Sequence, residues 1–316
     1  MPLWLRKSWE PQIPTPMNYH DPVLLKQTVA GLDLKPDGIY VDVTFGGGGH
    51  SKHLLSQLGP EGRLIAFDQD KDALDNAIDD DRFLLIHQNF RYLKRFLKFH
   101  GITQVDGIMG DFGVSSHQFD EGDRGFSTRF DGVLDMRMDQ GQGLTAADVL
   151  NQYTAEQLTE LFKGYGELRQ AAKISRYIVT ARENGPIETT EQLKAVVKPL
   201  LIRTKEHKIL AQIFQAIRLE VNQELVVLKD LLNQTKEVIR PGGRLSLISY
   251  HSLEDRLVKR YMKHGLFEGM PEKDVFGRAF VPFKPVSKLI VPDSEEIQRN
   301  NRARSAKLRI AERTQD

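Results

Sequence analysis

The 316-residue chain contains no cysteine, which excludes disulfides, thiolate nucleophiles and thiolate-ligated metal and fits a reducing compartment. It has no apolar run near the roughly 18 residues needed to cross a bilayer as a helix. Net charge is almost absent: 44 Lys and Arg stand against 43 Asp and Glu, a balance of +1. No global field therefore advertises a nucleic-acid partner, and any such partner must be met by local patches. The opening segment, 1–16, is too short and too broken by proline in its apolar part for a signal peptide. These absences predict a cytoplasmic protein, without a membrane partner, whose residues 1–17 form a loose tail and in which Met17 is a candidate start. What is present is 40% hydrophobic and 28% charged, an ordinary globular make-up with length for two domains or one domain carrying a large insertion.

The stretch Val41-Asp-Val-Thr-Phe-Gly-Gly-Gly-Gly-His-Ser51 reads as strand, tight turn and helix. Consecutive glycines carry no Cβ, so a ligand can lie on the backbone at the helix amino end, as nucleotide-like cofactors do in α/β folds. A Gly-rich surface loop would have the same composition, and the strands downstream decide between the two. Arg63 to Phe67 is a buried strand ending in Asp68, about twenty residues beyond the glycines, where such units place the acid that receives ribose hydroxyls. Asp70 and Asp72 read as helix caps. Phe83 to Ile86 is a third strand, and Phe90 beyond it either faces an adenine or belongs to the core. A fourth strand ending at Gly110 delivers Asp111 to the same edge.

From Asp120 to Asp139 the chain is rich in Gly, charge and Met with no clean period, the mark of a functional loop, ordered or mobile. Helices are expected from there almost to Ile239. Capping boxes start at Thr154 with Gln157 and at Thr189 with Gln192, Gly185-Pro186 breaks the series between them, and a last long helix is expected around Ile209 to Val238. A fifth strand ends at Tyr250 and His251, and Ser252 with Asp255 resembles another cap pair. Beyond Gly265 the chain reads as irregular, closing in a basic run, Arg302 to Arg309, that suits a solvated tail or phosphate contacts.

Together these features suit a dinucleotide or S-adenosylmethionine. The glycines are contiguous and so depart from the Gly-x-Gly-x-x-Gly dehydrogenase fingerprint, while the Pro241-Gly-Gly-Arg turn before a late strand is more familiar from methyltransferases. Asp42 occupies the acid position of the usual first methyltransferase motif, but Thr44 stands where a glycine is usual.

A closer match comes from His20-Asp-Pro-Val-Leu-Leu25, the glycine stretch, Asp111-Phe-Gly-Val-Ser-Ser-His-Gln118, Arg124-Gly-Phe-Ser127, Leu134-Asp-Met-Arg-Met-Asp139, Phe214 to Asn222, Ser249 to Arg256 and Arg302 to Arg309. Together they resemble the bacterial ribosomal RNA small-subunit methyltransferase H family, from about Asn18 to Arg309. Departures are Gly47 where that family usually has Arg, Gly110 and Phe112 where Leu is usual, and His117 where Pro is common.

The resemblance implies an α/β, class I S-adenosylmethionine-dependent methyltransferase with a Rossmann-like sheet and an inserted all-helical domain. The methyltransferase part would span 18–123 and 216–316, and the substrate-recognition insertion 124–215. It further implies methylation of the N4 amine of a cytidine in the decoding region of 16S rRNA, in an assembled or nearly assembled small subunit. Gly48, Gly49 and His50 would line the methionyl part of the cofactor, Asp68 the ribose and Phe90 the adenine, with Asp111 and Gln118 completing the pocket and no metal required.

Cytosine N4 is a poor nucleophile whose N–H needs an acceptor as it attacks. Asp111 is the catalytic candidate, unless it serves the cofactor alone. Tyr250 and His251 are candidate contacts to the base, and Ser115, Ser116, Arg302 and Arg304 are further candidate contacts to the substrate. The competing readings are an NAD-dependent oxidoreductase, which would bind nicotinamide, and an RNA-binding protein without catalysis, which would bind rRNA and transfer no methyl. A membrane-associated factor would need an apolar anchor that is missing.

Overall fold

The computed structural model describes residues 22–120, 122–277 and 279–315. The predicted tail over 1–17 and the His20-Asp21 part of the first motif lie outside the described residues. A short helix α1, Leu25–Ala30, precedes strand β1, Ile39–Asp42; helix α2, Gly49–Leu55, leads to β2, Arg63–Asp68, and β3 spans Phe83–His87. Helix α3, Leu93–Phe99, and strand β4, Val105–Asp111, complete the first half. These strands are short, largely buried apolar runs, as parallel sheets covered by helices require.

After β4 come helices α4, Ser116–Asp120, α5, Ala146–Gln152, α6, Ala155–Gly164, α7, Ala171–Arg182, α8, Thr190–Val197, α9, Glu206–Val221, and α10, Glu224–Val238. Both expected capping boxes are present: the Thr154 and Thr189 hydroxyls accept from the Gln157 and Gln192 amides while the glutamine side chains reach back. Each such cap contributes about 1 kcal/mol to its helix. The long helix expected over Ile209 to Val238 is instead two helices. Gln223 breaks it with φ +50, and no Gly or Pro in the sequence marks that kink. Residues from Phe126 to Ile217 share one hydrophobic cluster of their own, including Leu158, Phe162, Ile178, Leu193 and Ile213, apart from the cluster on the sheet. Helix α9 passes the expected boundary at 215 without interruption.

The chain then returns to the sheet as β5, Ile239–Ser249, followed by helix α11, Ser252–His264, a short β6, Phe283–Pro285, helix α12, Ser294–Arg299, and β7, Lys307–Arg313. The strand order is β3-β2-β1-β4-β5-β7-β6. Strands β1 to β5 are mutually parallel, and β7 lies antiparallel to both β5 and β6. The basic run at 302–309 is therefore not a tail. Leu308 and Ile310 are buried and alternate with Lys307 and Arg309, so the end of the run is a sheet strand. Lys307 and Arg309 are spent on Asp255 of α11. The order reverses between β1 and β4, and the carboxyl ends of the parallel strands bring Asp42, Asp68, Asp111 and Tyr250 to one edge there. No helix among the described residues is long and apolar enough to cross a membrane.

Candidate active site

The glycine turn is held from both ends. Asp42, buried at the end of β1, accepts from the Ser51 hydroxyl at 2.7 Å and the Thr44 amide at 3.0 Å, closing the loop. The Thr44 hydroxyl in turn accepts from the Asp111 amide at 2.6 Å. The departure from glycine at position 44 is thus the tie that fixes the end of β4 against β1.

The glycines do separate tasks. Gly46 and Gly48 have φ of +51 and +75, and a Cβ on Gly46 would meet nothing within 4 Å. On Gly48 it would lie 2.9 Å from the Phe45 ring, and on Gly49 2.2 Å from Pro22. Much of the glycine requirement is therefore for backbone shape and protein packing. Gly48→Ala is expected to destabilise by about 1–3 kcal/mol through the left-handed backbone and the clash, seen in thermal melts, and to weaken cofactor binding in calorimetry.

A cleft of about 770 Å³ opens over this edge, within the range of sites for small ligands. Of the predicted residues it is lined by Gly49, His50, Asp68, Phe90, Asp111, Ser115, Gln118, Tyr250, His251 and Arg302. Gly48 sits behind the wall as the left-handed cap of α2, Ser116 starts α4, and Arg304 is exposed away from it. The His50 ring is held by the protein. Its Nε2 lies 3.0 Å from the Val23 carbonyl, so that nitrogen is taken up by the protein. Asp68 accepts from the Gly46 amide at 2.8 Å and the Asp70 amide at 2.9 Å, and burial nevertheless pushes its carboxyl up to about 6.

Asp111 is the least satisfied carboxylate in the cleft. Its Oδ1 is buried without a hydrogen-bond partner among the described residues. Burial raises its pKa to about 6, opposed by the nearby His50 and by a hydrogen bond from the Tyr250 hydroxyl. The Tyr250 hydroxyl is pushed well up, first by burial and then by the Asp111 charge. Gln118, assigned to the pocket, has both ends committed: Oε1 accepts from the Ser115 amide at 3.0 Å and Nε2 donates to Asp70 at 2.6 Å.

Sequence reasoning missed the partner that makes Asp70 more than a cap. Asp70 does accept from the Asp72 amide, but its carboxylate also meets the buried Arg124 guanidinium at 2.7 Å. Arg124 donates on to the Arg137 and Met138 carbonyls, and Asn222 clamps Met136 and Met138 from the kink between α9 and α10. The loop at 122–139 is thereby locked onto the end of β2 at the cleft.

At the other end, His251, not Ser252, caps α11, in a box with Glu254. Glu254 is buried and stays charged: burial raises its pKa, but His251 and Arg218 more than offset this. Glu224, His251 and Glu254 have ligand atoms within 4.8 Å of one another, the spacing of a metal group. Arg218 already holds both Glu224 oxygens at 2.8 and 3.0 Å, and His251 lies 3.2 Å from Glu254, so both carboxylates already have partners. Arg302 pairs with Asp120 and lies over the Phe119 ring.

A sheet in this order, with an antiparallel seventh strand and a glycine turn facing an acid at the end of β2, defines a class I S-adenosylmethionine-dependent methyltransferase. The cleft fits that cofactor: an open glycine at the turn, a carboxylate at the end of the neighbouring strand, and an apolar wall of Phe90 and Phe112 with centroids 6.0 Å apart. Residues 17–314 match the MraW methylase family, and the chain belongs to it. Among its relatives, a protein of Christiangramia forsetii named ribosomal RNA small subunit methyltransferase H is 68% identical over 295 residues, 93% of this chain and 98% of that one. Relatives of the same name from Flavobacterium johnsoniae and Bacteroides thetaiotaomicron are 63% and 54% identical, over 95% and 94% of this chain and 99% and 98% of theirs.

Proposed function

We propose that this chain methylates the exocyclic N4 of a cytidine in the decoding region of small-subunit rRNA, in an assembled or nearly assembled subunit of the cytoplasm. The observation that carries the chemistry is the buried Oδ1 of Asp111, which has no hydrogen-bond partner among the described residues, at the cleft end of β4. The small subunit as substrate is supported by the names of the relatives. S-adenosylmethionine supplies an electrophilic methyl on a sulfonium when bound. Gly49 and the His50 backbone would flank its methionyl part, Asp68 its ribose and Phe90 its adenine, with Gln118 acting by holding Asp70 and Ser115 in place.

The protein's own task is to orient the amine and take a hydrogen bond from it. As N4 attacks, its lone pair leaves the ring and its N–H becomes more acidic. A carboxylate in a dry site then gains strength as acceptor, and the proton it helps remove passes to Asp111 or to solvent. Residues 124–215 are assigned to substrate recognition, and their loop at Ser127 and Thr128 reaches the cleft. Ser115, Ser116, Tyr250, His251, Arg302 and Arg304 are assigned to the substrate side, with Tyr250 acting first through Asp111.

Tyr250→Phe separates that role from simple stacking. Removing a hydrogen bond that lowers the Asp111 pKa raises it further, so the acidic limb of the pH–rate profile should move to higher pH while the plateau rate stays within a few-fold of wild type. A profile that keeps its shape would leave Tyr250 without influence on Asp111. The function itself is tested by incubating the protein with labelled S-adenosylmethionine and undermethylated small subunits and mapping the label. N4-methylcytidine in the decoding region is expected. Label on another nucleoside, or none, would contradict it.

A further inference from the structure

Beyond Gly265, where the chain reads as irregular, lies a small hairpin with an unusual surface. Lys273 and Ala279 form a bridge, the Gly277 amide donates to the Asp274 carbonyl, and the Phe276 amide donates to the Asp274 carboxylate. This turn holds its apolar residues outward: Val275 and Phe276 are 95% and 83% exposed, and Met270 and Phe280 are 68% and 64% exposed. Single exposed apolar residues need no explanation, but several on one ordered projection mark an interaction site.

The hairpin is not isolated from the cleft. Helix α11 begins beside His251, on the cleft wall, and runs for about 20 Å to the base of the hairpin. Its Lys259 and Lys263 are exposed four residues apart and lie in one stripe along the helix with Arg256, which pairs with Glu167. Lys273, Lys284 and Lys288 continue the exposed positive charge around the hairpin. Between positions 256 and 288, Lys and Arg outnumber the acids Glu268, Glu272 and Asp274 by more than two to one, in a chain whose net charge is only +1. Positive charge is thus concentrated in this segment of the chain. A line of cations ending in an exposed aromatic is the arrangement that tracks a nucleic-acid backbone and stacks on an unpaired base.

We propose that the α11 stripe and the hairpin residues 270–277 and 279–280 form a second RNA-binding surface, which grips rRNA about 20 Å from the reacting cytidine and aligns the subunit on the cleft. The inference rests on the function proposed for the cleft and names where its substrate is held. The charges meet phosphates, and Phe276 and Phe280 stack on bases that the fold of the rRNA leaves unpaired.

The test uses the full chain with undermethylated small subunits. Phe276→Ala with Phe280→Ala is expected to raise the KM for subunits roughly ten-fold, the scale of losing a stacked base. The affinity for S-adenosylmethionine, the melting temperature and the rate at saturating subunits should hold. Lys259→Glu with Lys263→Glu should flatten the salt dependence of subunit binding by about two phosphate contacts. A photoreactive side chain at position 276 should label rRNA. An unchanged KM in the first variant, or labelling of a ribosomal protein or of a second copy of this chain, would overturn the proposal. Failure of the unaltered protein to methylate subunits at all would instead overturn the function, and the surface with it.

Discussion

Replacing Asp111 by Asn is expected to slow single-turnover methyl transfer at saturating cofactor by about 10²–10⁴-fold, the usual contribution of a positioned acid or base. The substitution keeps the size of the side chain and removes the charge proposed to accept the amine N–H. Cofactor affinity should change by only a few-fold, because the proposed cofactor pocket also has the glycine turn, Asp68 and the Phe90 wall, which line the same cleft. An unimpaired chemical step would reduce Asp111 to a pocket-lining residue. The same group sets the pH dependence. With its pKa raised to about 6, Asp111 is charged above that pH and protonated below it, so the wild-type rate should fall as pH drops through about 6.

Stability should move the other way. A carboxyl whose folded-state pKa is raised binds protons more tightly folded than unfolded, so it costs stability at neutral pH, and the cost fades as pH falls through about 6 toward the unfolded value. Asp111→Asn should therefore raise the melting temperature at pH 8 and raise it less at pH 5. A variant slower in catalysis yet more stable is the signature of a charge kept buried for function.

The second large effect is structural. Arg124→Ala removes the cation from a buried pair and leaves Asp70, with a side chain only 10% exposed, facing Gln118 and the Asp72 amide. Breaking such a pair from one side costs about 3–5 kcal/mol, because the remaining charge is stranded. The carbonyls of Arg137 and Met138 lose their donor in the same step, so the 122–139 loop is released from the cleft edge. Denaturant melts should show the loss, and cofactor affinity should weaken with it. Adding Asp70→Asn to Arg124→Met should recover much of the stability, since the stranded charge is then gone. A single variant as stable as wild type would show that the latch carries little energy.

How much of this was legible in the sequence depends on range. Strands β1 to β5 are apolar runs ending in polar residues, and in a parallel sheet those ends must share an edge, so Asp68, Asp111 and Tyr250 could be grouped without seeing them together. The capping boxes are local chemistry and stood where the Thr and Gln residues stand. The misses are of another kind. Strand β7 was hidden because its basic side chains, paired with Asp255 across the fold, look solvated when read alone. The break between α9 and α10 rests on a non-glycine residue, Gln223, with φ +50, which no composition rule flags. The latch joins Asp70 to Gln118 and Arg124, 48 and 54 positions away, so Asp70 showed only its local half, the cap. The glycine turn needed the structure most: its residues are spent largely on Phe45, Pro22 and backbone shape, and His50 holds Val23 with its ring.

The most direct measurement is a crystal structure of the protein with S-adenosylhomocysteine and a cytidine nucleotide. The cofactor product is expected along the glycine turn, Asp68 and Phe90, and the cytosine amine within about 2.6–3.2 Å of Asp111 Oδ1, the reach of a working acceptor. A base seated elsewhere in the cleft, with Asp111 bonded only to the cofactor, would contradict a catalytic Asp111.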